Sequence, residues 1–273
     1  MVLFPNCKIN IGLNITSKRN DGFHNLETIF YPVQWTDVLE VIGAPETAST
    51  CLHISGITIA GDATDNICIK AYQLLKKDFP QLPQIDIFLY KAIPTGAGLG
   101  GGSADGAFML RLLNEKYNLA LTEAQLIAYG LQLGSDCPFF ILNKPCFAAG
   151  RGEELVPVRL NLSGYTIVLV NPGLHVNTGW AYSGITPSVP VKSVKEIIQQ
   201  PIETWKHEIK NDFEVPVFRE YPEIGAVKQK LYENGAVYAA MSGSGSTVYG
   251  IFLSTSVPGL SWPAYYMHKI ISV

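Results

Sequence analysis

Pro94-Thr95-Gly96-Ala97-Gly98-Leu99-Gly100-Gly101-Gly102-Ser103 carries five glycines within seven positions. Before it, Ile85-Asp86-Ile87-Phe88-Leu89-Tyr90 reads as a strand, and after it residues 104 to about 117 read as a helix. The loop therefore runs from a strand into a helix N-terminus. Backbone with no side-chain wall can wrap its N–H groups around an anion, and the helix end adds roughly half a positive charge. Ser103 stands where an N-cap is expected and supplies a hydroxyl, for its own helix or for a phosphate oxygen. Each glycine costs about 0.5–1 kcal/mol in folding entropy, so five so close together are expensive for an idle surface loop. The reading is a phosphate cradle.

Other phosphate patterns fit less well. Gly96-x-Gly98-x-x-Gly101 satisfies the dinucleotide fingerprint literally. That fingerprint needs an acid at the end of the next strand, roughly 20 residues on. Here a second helix-like segment, 122–133, occupies that distance. A Walker A loop needs Gly-Lys-Ser/Thr, and Gly102-Ser103 has no lysine between its members. The His-Arg-Asp and Asp-Phe-Gly elements of protein kinases are missing from the sequence.

Around the loop, 273 residues with 47% hydrophobic content allow one large or two modest domains. The net charge of −3 comes with no basic patch, which argues against a nucleic-acid partner. The cysteines Cys7, Cys51, Cys68, Cys137 and Cys146 form no Cys-x-x-Cys pair, so reduced, mostly buried thiols in a cytoplasmic protein are expected. No stretch approaches the ~18 apolar residues of a membrane span, and Met1-Val2-Leu3-Phe4-Pro5-Asn6 reads as a strand and not as a signal peptide.

Residues 8–15 alternate, with Ile9, Ile11, Leu13 and Ile15 on one face and Asn10, Gly12 and Asn14 on the other. Strands are expected at 28–33, 37–42, 51–59, 161–170, 236–241 and 247–253, with Gln34-Trp35-Thr36 as a turn. Asp65-Asn66 caps a helix that Pro80 stops. Tyr221-Pro222-Glu223 opens a helix that Asn234-Gly235 ends. A boundary near Val158 divides the chain into 1–157 and 158–273, with the active site expected between the halves. Periodicity alone supports a two-layer α+β protein.

Three segments together carry a family resemblance. Cys7-Lys8-Ile9-Asn10-Ile11-Gly12-Leu13, the glycine loop, and Met241-Ser242-Gly243-Ser244-Gly245-Ser246-Thr247 are similar to the first, second and third motifs of the GHMP kinases. Arg19-Asn20-Asp21-Gly22-Phe23-His24-Asn25-Leu26-Glu27-Thr28, Gly134-Ser135-Asp136-Cys137-Pro138-Phe139-Phe140 and Gly150-Arg151-Gly152-Glu153-Glu154-Leu155 resemble the branch of the family that acts on a cytidine-diphosphate-linked polyol. The resemblance covers nearly the whole chain, thinning between Gly43 and Thr50 and after Leu253. It implies an α+β fold of two domains: one like ribosomal protein S5 domain 2, carrying ATP, and a ferredoxin-like C-terminal domain. It also implies ATP-dependent phosphorylation of the 2-hydroxyl of 4-diphosphocytidyl-2-C-methyl-D-erythritol, in the non-mevalonate route to isoprenoid precursors. The partner implied is a small molecule, met by a monomer or weak homodimer without membrane or nucleic acid.

The resemblance also assigns residues. Asp136 becomes the general base; a carboxylate beside the apolar Pro138-Phe139-Phe140 needs a partner or a task in any case, the plain alternatives being a helix cap or an ion pair. Lys8 becomes the charge stabiliser of the transferring phosphoryl, although a lysine on the polar face of a strand is usually solvated. ATP falls to Pro94, Thr95, Gly96, Ala97, Gly98, Leu99, Gly100, Gly101, Gly102, Ser103 and Ala104. The cytidine side falls to Asn10, Phe23 and His24, with Thr178 and Tyr182 as the opposite wall; Phe23 and Tyr182 could sandwich a pyrimidine. Mg²⁺ follows from ATP chemistry, with no dedicated protein ligands assigned. Asp105 reads as a first-turn carboxylate favoured by the helix dipole. The third segment is either a second wall against the phosphates or a hairpin turn. Phe23, Cys137, Arg151 and Gly106 depart from residues commoner in the family. Three other readings stay open: a GHMP kinase for another alcohol such as mevalonate or homoserine, a nicotinamide oxidoreductase, and a nucleotide-binding regulator without turnover.

Overall fold

The computed structural model describes residues 1–45, 49–58 and 65–273. In chain order the strands are β1 Val2–Leu3, β2 Asn6–Lys18, β3 His24–Thr36, β4 Val38–Gly43, β5 Cys51–Gly56, β6 Ile85–Lys91, β7 Cys146–Ala149, β8 Glu154–Pro157, β9 Tyr165–Asn171, β10 Tyr238–Met241, β11 Val248–Leu253 and β12 Met267–Ser272. The helices used below are α1 Ile67–Asp78, α2 Gly101–Lys116, α3 Glu123–Leu133, α4 Cys137–Leu142, α5 Thr178–Ser183, α8 Glu214–Glu220 and α9 Pro222–Glu233, with α6 Val194–Ile197 and α7 Ile202–Glu208 between α5 and α8. The chain forms two compact units that interleave in sequence. One comprises Met1–Cys7, Gln34–Thr95 and Gly100–Lys144, the other Lys8–Val33, Gly96–Leu99 and Pro145–Val273.

The first unit holds a sheet of order β1-β4-β6-β5. β4 pairs antiparallel with β6, whereas β5 runs parallel to β6, so α1 serves as the crossover that a parallel pair requires. The expected strand 51–59 ends at Gly56, and its last residue, Ile59, lies outside the described residues. Leu39, Val41, Ile85, Ile87 and Leu89 point inward and are buried, while Phe88 and Tyr90 point out, which is the period-2 pattern of a one-sided sheet. Asn66 caps α1 through its side chain on the Cys68 N–H, and Thr122 with Gln125 forms a capping box on α3.

Two expectations shift here. The turn at 34–36 does not form: β3 runs through Thr36, and Asp37 alone separates it from β4. Asp37 is fully buried and bonds Pro5 O through its N–H, 2.8 Å, so tertiary contacts override a polar turn signal. The helix after the glycine loop starts at Gly101, not 104. Gly100 takes φ 70° as its N-cap and its carbonyl accepts the Ala104 N–H at 2.9 Å, which leaves Ser103 inside the first turn and not at the cap.

In the second unit, β9 to β12 form an antiparallel sheet of order β10-β11-β9-β12. Counted along the chain as first to fourth, these strands lie 4-1-3-2, the ferredoxin-like order. α9 packs on β10 and β11. It begins with Pro222 and ends at Asn234, after which Gly235 turns the chain with φ 92°. The last crossover, 254–266, contains only the 3-10 turn Ser254–Ser256. A third sheet has order β2-β3-β7-β8. Leu13, Ile15 and Leu26 from it join Val168, Val170, Phe213, Ile224 and Leu231 in one apolar core. Alternation along β2 holds, yet both faces are buried: Ile9 and Ile11 are 0% exposed, Lys8 is 4% and Asn10 2%. A buried lysine requires compensation that a solvated one does not.

Candidate active site

The middle of the glycine loop, Gly96–Leu99, belongs to the second unit and is held there by its carbonyls. Lys8 N donates to Leu99 O at 2.9 Å, Ser242 Oγ to Gly98 O at 2.8 Å, and Thr247 N to Ala97 O at 3.2 Å. Asn10 N closes the ring by donating to Ser242 Oγ at 3.2 Å. Residues of the first and third segments thus meet on three successive residues of the second. Gly98 has φ 77°, and a Cβ built there would lie 1.9 Å from Ser242 O, so no other residue fits. With the carbonyls turned into the protein, the amides of residues 95–103 donate no hydrogen bond among the described residues. A run of undonated N–H groups ending at a helix N-terminus is what an anion site requires.

Lys8 and Asn10 lie on one face of β2. The Lys8 ammonium donates to Asn10 Oδ1 and sits 4.8 Å from the centre of the Phe30 ring, a cation–π contact. Asn10 Nδ2 donates to Thr28 Oγ1 at 3.1 Å, which turns the amide so that its oxygen faces the lysine, and the Asn10 backbone carbonyl accepts from Tyr249 OH at 2.9 Å.

Ser242 to Thr247 connect β10 to β11, so the third segment is a hairpin loop, and it also packs on the phosphate loop. Asn211, 3% exposed, grips the hairpin by donating to Met241 O and Gly243 O, each at 2.8 Å.

In the first unit, the loop's two ends and Asp136 share another neighbourhood. Asp136 stands at the N-cap position of α4 but makes no capping hydrogen bond with its side chain, so the cap alternative is not realised. The next residue, Cys137, is buried and hydrogen-bonded to Ser103, and burial pushes its thiol up to about 12. That bond ties α2 to the start of α4, one residue after Asp136. Pro138, Phe139 and Phe140 are buried as expected.

Asp105 does not lie on a solvated first turn. It is 2% exposed and accepts from Lys91 Nζ at 2.7 Å, while Lys91 also pairs with Asp37. Burial raises the Asp105 carboxyl to about 7, against the pull of Lys91, with Asp37 adding to the rise. The Lys91 ammonium is held above its ordinary value by the two carboxylates, which outweigh its own burial.

On the base side, Phe23 is 54% exposed and carries the Arg151 guanidinium 5.1 Å from its ring centre. His24, not Phe23, lies parallel to Tyr182, at 4.8 Å and 17°. His24 opens β3 whereas Phe23 ends the preceding turn, and consecutive residues at a strand start point to opposite sides. The reverse side of this wall is Phe213, edge-on to Tyr182 at 4.9 Å. Thr178 Oγ1 and Ser244 Oγ are 3.0 Å apart, which joins α5 to the hairpin loop.

Of the expected residues, Lys8, Asn10, Phe23, His24, Gly96, Ala97, Gly98, Leu99, Thr178 and Tyr182 lie in the second unit. Pro94, Thr95, Gly100, Gly101, Gly102, Ser103, Ala104 and Asp136 lie in the first. Sequence reading passes over three contributors: the Lys91 cluster, Asn211, and His175, whose Nδ1 lies 3.4 Å from where a Gly96 side chain would begin. A lysine ending a strand, an asparagine between two short helices and a histidine after Pro172-Gly173 carry no local signal.

Comparison with known proteins gives the family. The GHMP kinases N terminal domain matches residues 66–144, and the GHMP kinases C terminal domain matches residues 193–258. A 4-diphosphocytidyl-2-C-methyl-D-erythritol kinase of Bacteroides fragilis is 55% identical over 253 residues, 92% of each chain. This chain belongs to the GHMP kinase family. The same-named enzyme of Chlorobium limicola is 40% identical over 252 residues, 90% of this chain and 86% of that one. A crystal structure of 4-(cytidine 5'-diphospho)-2C-methyl-D-erythritol kinase superposes with a TM-score of 0.75 at 33% identity, covering 92% of this chain and 89% of that one. Mevalonate kinase of Methanococcus jannaschii, at 11% identity and a TM-score of 0.67 over 94% and 92%, shares the fold. As a GHMP kinase the chain is a small-molecule kinase with ATP as cosubstrate, and among its described residues no helix is long and apolar enough to cross a membrane.

Proposed function

We propose that this GHMP kinase transfers the γ-phosphoryl group of Mg-ATP to the 2-hydroxyl of 4-diphosphocytidyl-2-C-methyl-D-erythritol. The observation that carries the reading is the middle of the glycine loop, with its carbonyls bonded inward by Lys8, Ser242 and Thr247 and its amides left for an anion. The substrate is taken from the relatives' names, which belong to chains matching nine-tenths of this one. Residues 1–157 supply the nucleotide loop, Lys8 and Asp136, and residues 158–273 the wall of Thr178 and Tyr182.

In this reading residues 94–104 hold the ATP phosphates. The substrate oxygen attacks the γ-phosphorus, the bond to the bridging β-γ oxygen breaks, and ADP leaves. Asp136 takes the hydroxyl proton. A carboxylate is a far weaker base than an alkoxide, so that proton moves late, as a loose phosphoryl transition state allows. Lys8 stabilises charge on the transferring group. Asn10, Phe23, His24, Thr178 and Tyr182 receive the cytidyl portion; the His24–Tyr182 stack offers a flat aromatic surface for a base. Among the described residues no group of three or more His, Cys, Asp or Glu side chains is placed to hold a metal ion. Mg²⁺ enters as part of the Mg-ATP substrate, bound chiefly by phosphates and water.

The test is coupled ADP release with Mg-ATP and the cytidyl-methylerythritol compound, with mevalonate and homoserine in parallel. Turnover is expected with the cytidyl compound alone, and turnover of another alcohol would discard the pyrimidine site. Asp136→Asn is expected to lower kcat about 10²–10⁴-fold at unchanged Tm, the usual range for loss of a positioned acid or base. A variant with full turnover would leave Asp136 a structural role.

A further inference from the structure

The glycine loop has a floor that its motif does not announce. Asp37, Lys91 and Asp105 are 0%, 1% and 2% exposed and come from three separate parts of the first unit. Asp37 Oδ1 accepts the N–H groups of Ala92 and Ile93, at 2.6 and 2.8 Å, the two residues that leave β6 for the loop. Lys91, the last residue of β6, donates to Asp37 Oδ2 and to Asp105 Oδ2, and Asp105 is the fifth residue of α2, the helix that follows the loop. A Cβ on Gly101 would lie 3.5 Å from Lys91 Nζ and 3.0 Å from Ile93 Cγ2, so the ammonium sits directly against the helix start.

A core can reach stability more cheaply. Replacing a buried ion cluster by apolar residues of similar volume is often neutral or stabilising, and what such a cluster adds is fixed geometry. This one carries two carboxylates against one amine, with Asp105 Oδ1 buried and without a partner among the described residues. That is a poor arrangement for stability. It is a good one for holding two chain segments in a single register, because every bond of the lysine points at one end of the loop or the other.

We propose that Asp37, Lys91 and Asp105 are positioning residues for the nucleotide: they clamp the entry of the glycine loop to its exit and so set the spacing of the amides that receive the phosphates. The proposal rests on the ATP role assigned to the loop above. It predicts a selective defect. Loosening the clamp weakens the hold on Mg-ATP and leaves the alcohol side alone, since the bonds of Asp37, Lys91 and Asp105 run to one another and to Ala92 and Ile93 at the entry of the loop.

The experiment measures KM for Mg-ATP, KM for the cytidyl substrate, kcat and Tm on the full chain. Lys91→Met combined with Asp37→Asn removes the clamp without stranding a buried charge, because the remaining Asp105 is neutral when protonated. It is expected to raise KM for Mg-ATP about tenfold or more, a loss typical of displaced positioning groups, with the alcohol KM and kcat within about threefold. Asp105→Asn keeps an oxygen for Lys91 and leaves the Asp37 bonds intact. Its expected effect is smaller, about a threefold rise in KM for Mg-ATP alone, and it decides the matter if the double variant does not fold. Folded variants with an unmoved KM for Mg-ATP and a changed Tm would overturn the proposal, as would equal losses in both KM values. Wild-type protein that neither binds nor turns over Mg-ATP would sink the preceding reading itself, before any variant is made.

Discussion

The two glycine-rich segments of this kinase look alike on paper and do opposite things. At Ala97, Gly98 and Leu99 the backbone carbonyls are bonded, whereas the amides donate to nothing among the described residues. In the hairpin loop of residues 242–247 the chain is the one that grips: Ser242 holds Gly98, and Asn211 holds the carbonyls of Met241 and Gly243. The first segment needs glycine because the second occupies the space a side chain would take. Similar composition thus leaves undonated amides in one case and makes the brace in the other.

Gly98→Ala should break this relation hardest. A Cβ 1.9 Å from Ser242 O, on a residue at φ 77°, combines a backbone clash with left-handed strain. A loss of at least about 3 kcal/mol in urea unfolding is expected. Normal stability would mean the two loops can part without cost. Asn211→Ala removes both grips on the hairpin and its acceptor for the Phe213 N–H, and about 2–4 kcal/mol is expected from three buried bonds.

Asp105→Asn should alter the pH dependence of stability. The folded carboxyl sits at about 7 and an unfolded one near 3.9, so the fold retains a proton that the unfolded chain releases. Stability from this group is fully present below pH ~3.9 and is lost as pH rises toward ~7. The variant lacks that slope, so its stability relative to wild type should improve between pH 4 and pH 7 and level off above, by on the order of 1–3 kcal/mol. Urea midpoints of both proteins at pH 5 and pH 8 read it directly; a constant difference between them would mean that Asp105 titrates elsewhere.

The smallest effect sharpens the comparison most. A Cβ added at Gly102 would meet nothing within 4 Å among the described residues, and the residue stands in the first turn of α2. Alanine there should stabilise the fold by about 0.5 kcal/mol through helix propensity. It should nevertheless raise KM for Mg-ATP, because a methyl group would crowd the undonated amides. A stabler protein with unchanged KM would remove position 102 from the phosphate site.

Much of this was legible in residues alone. Asn66, Pro222 and Gly235 announce their helix ends, because a cap or a stop is a local matter of one side chain and one φ. The burial of Pro138-Phe139-Phe140 follows from their apolarity. The misplaced features depend on distant partners. Ser103 reads as a cap only until Gly100 is seen to turn the chain first. Residues 34–36 read as a turn until Asp37 is drawn into the core. Nothing in the spacing announces that β3 lays His24 parallel to Tyr182.

The sequence by itself determined the family, the order of motifs and the need for glycine between strand and helix, since these rest on residue type and spacing. Only the tertiary structure decided which atoms face the loop. It interleaved two units along the chain, set Lys8, Ser242 and Thr247 on three successive carbonyls, and buried Lys91 between two carboxylates. The reason is that hydrogen-bond partners and desolvation depend on which segments, more than a hundred residues apart in the case of Gly98 and Ser242, come to share the same few ångströms.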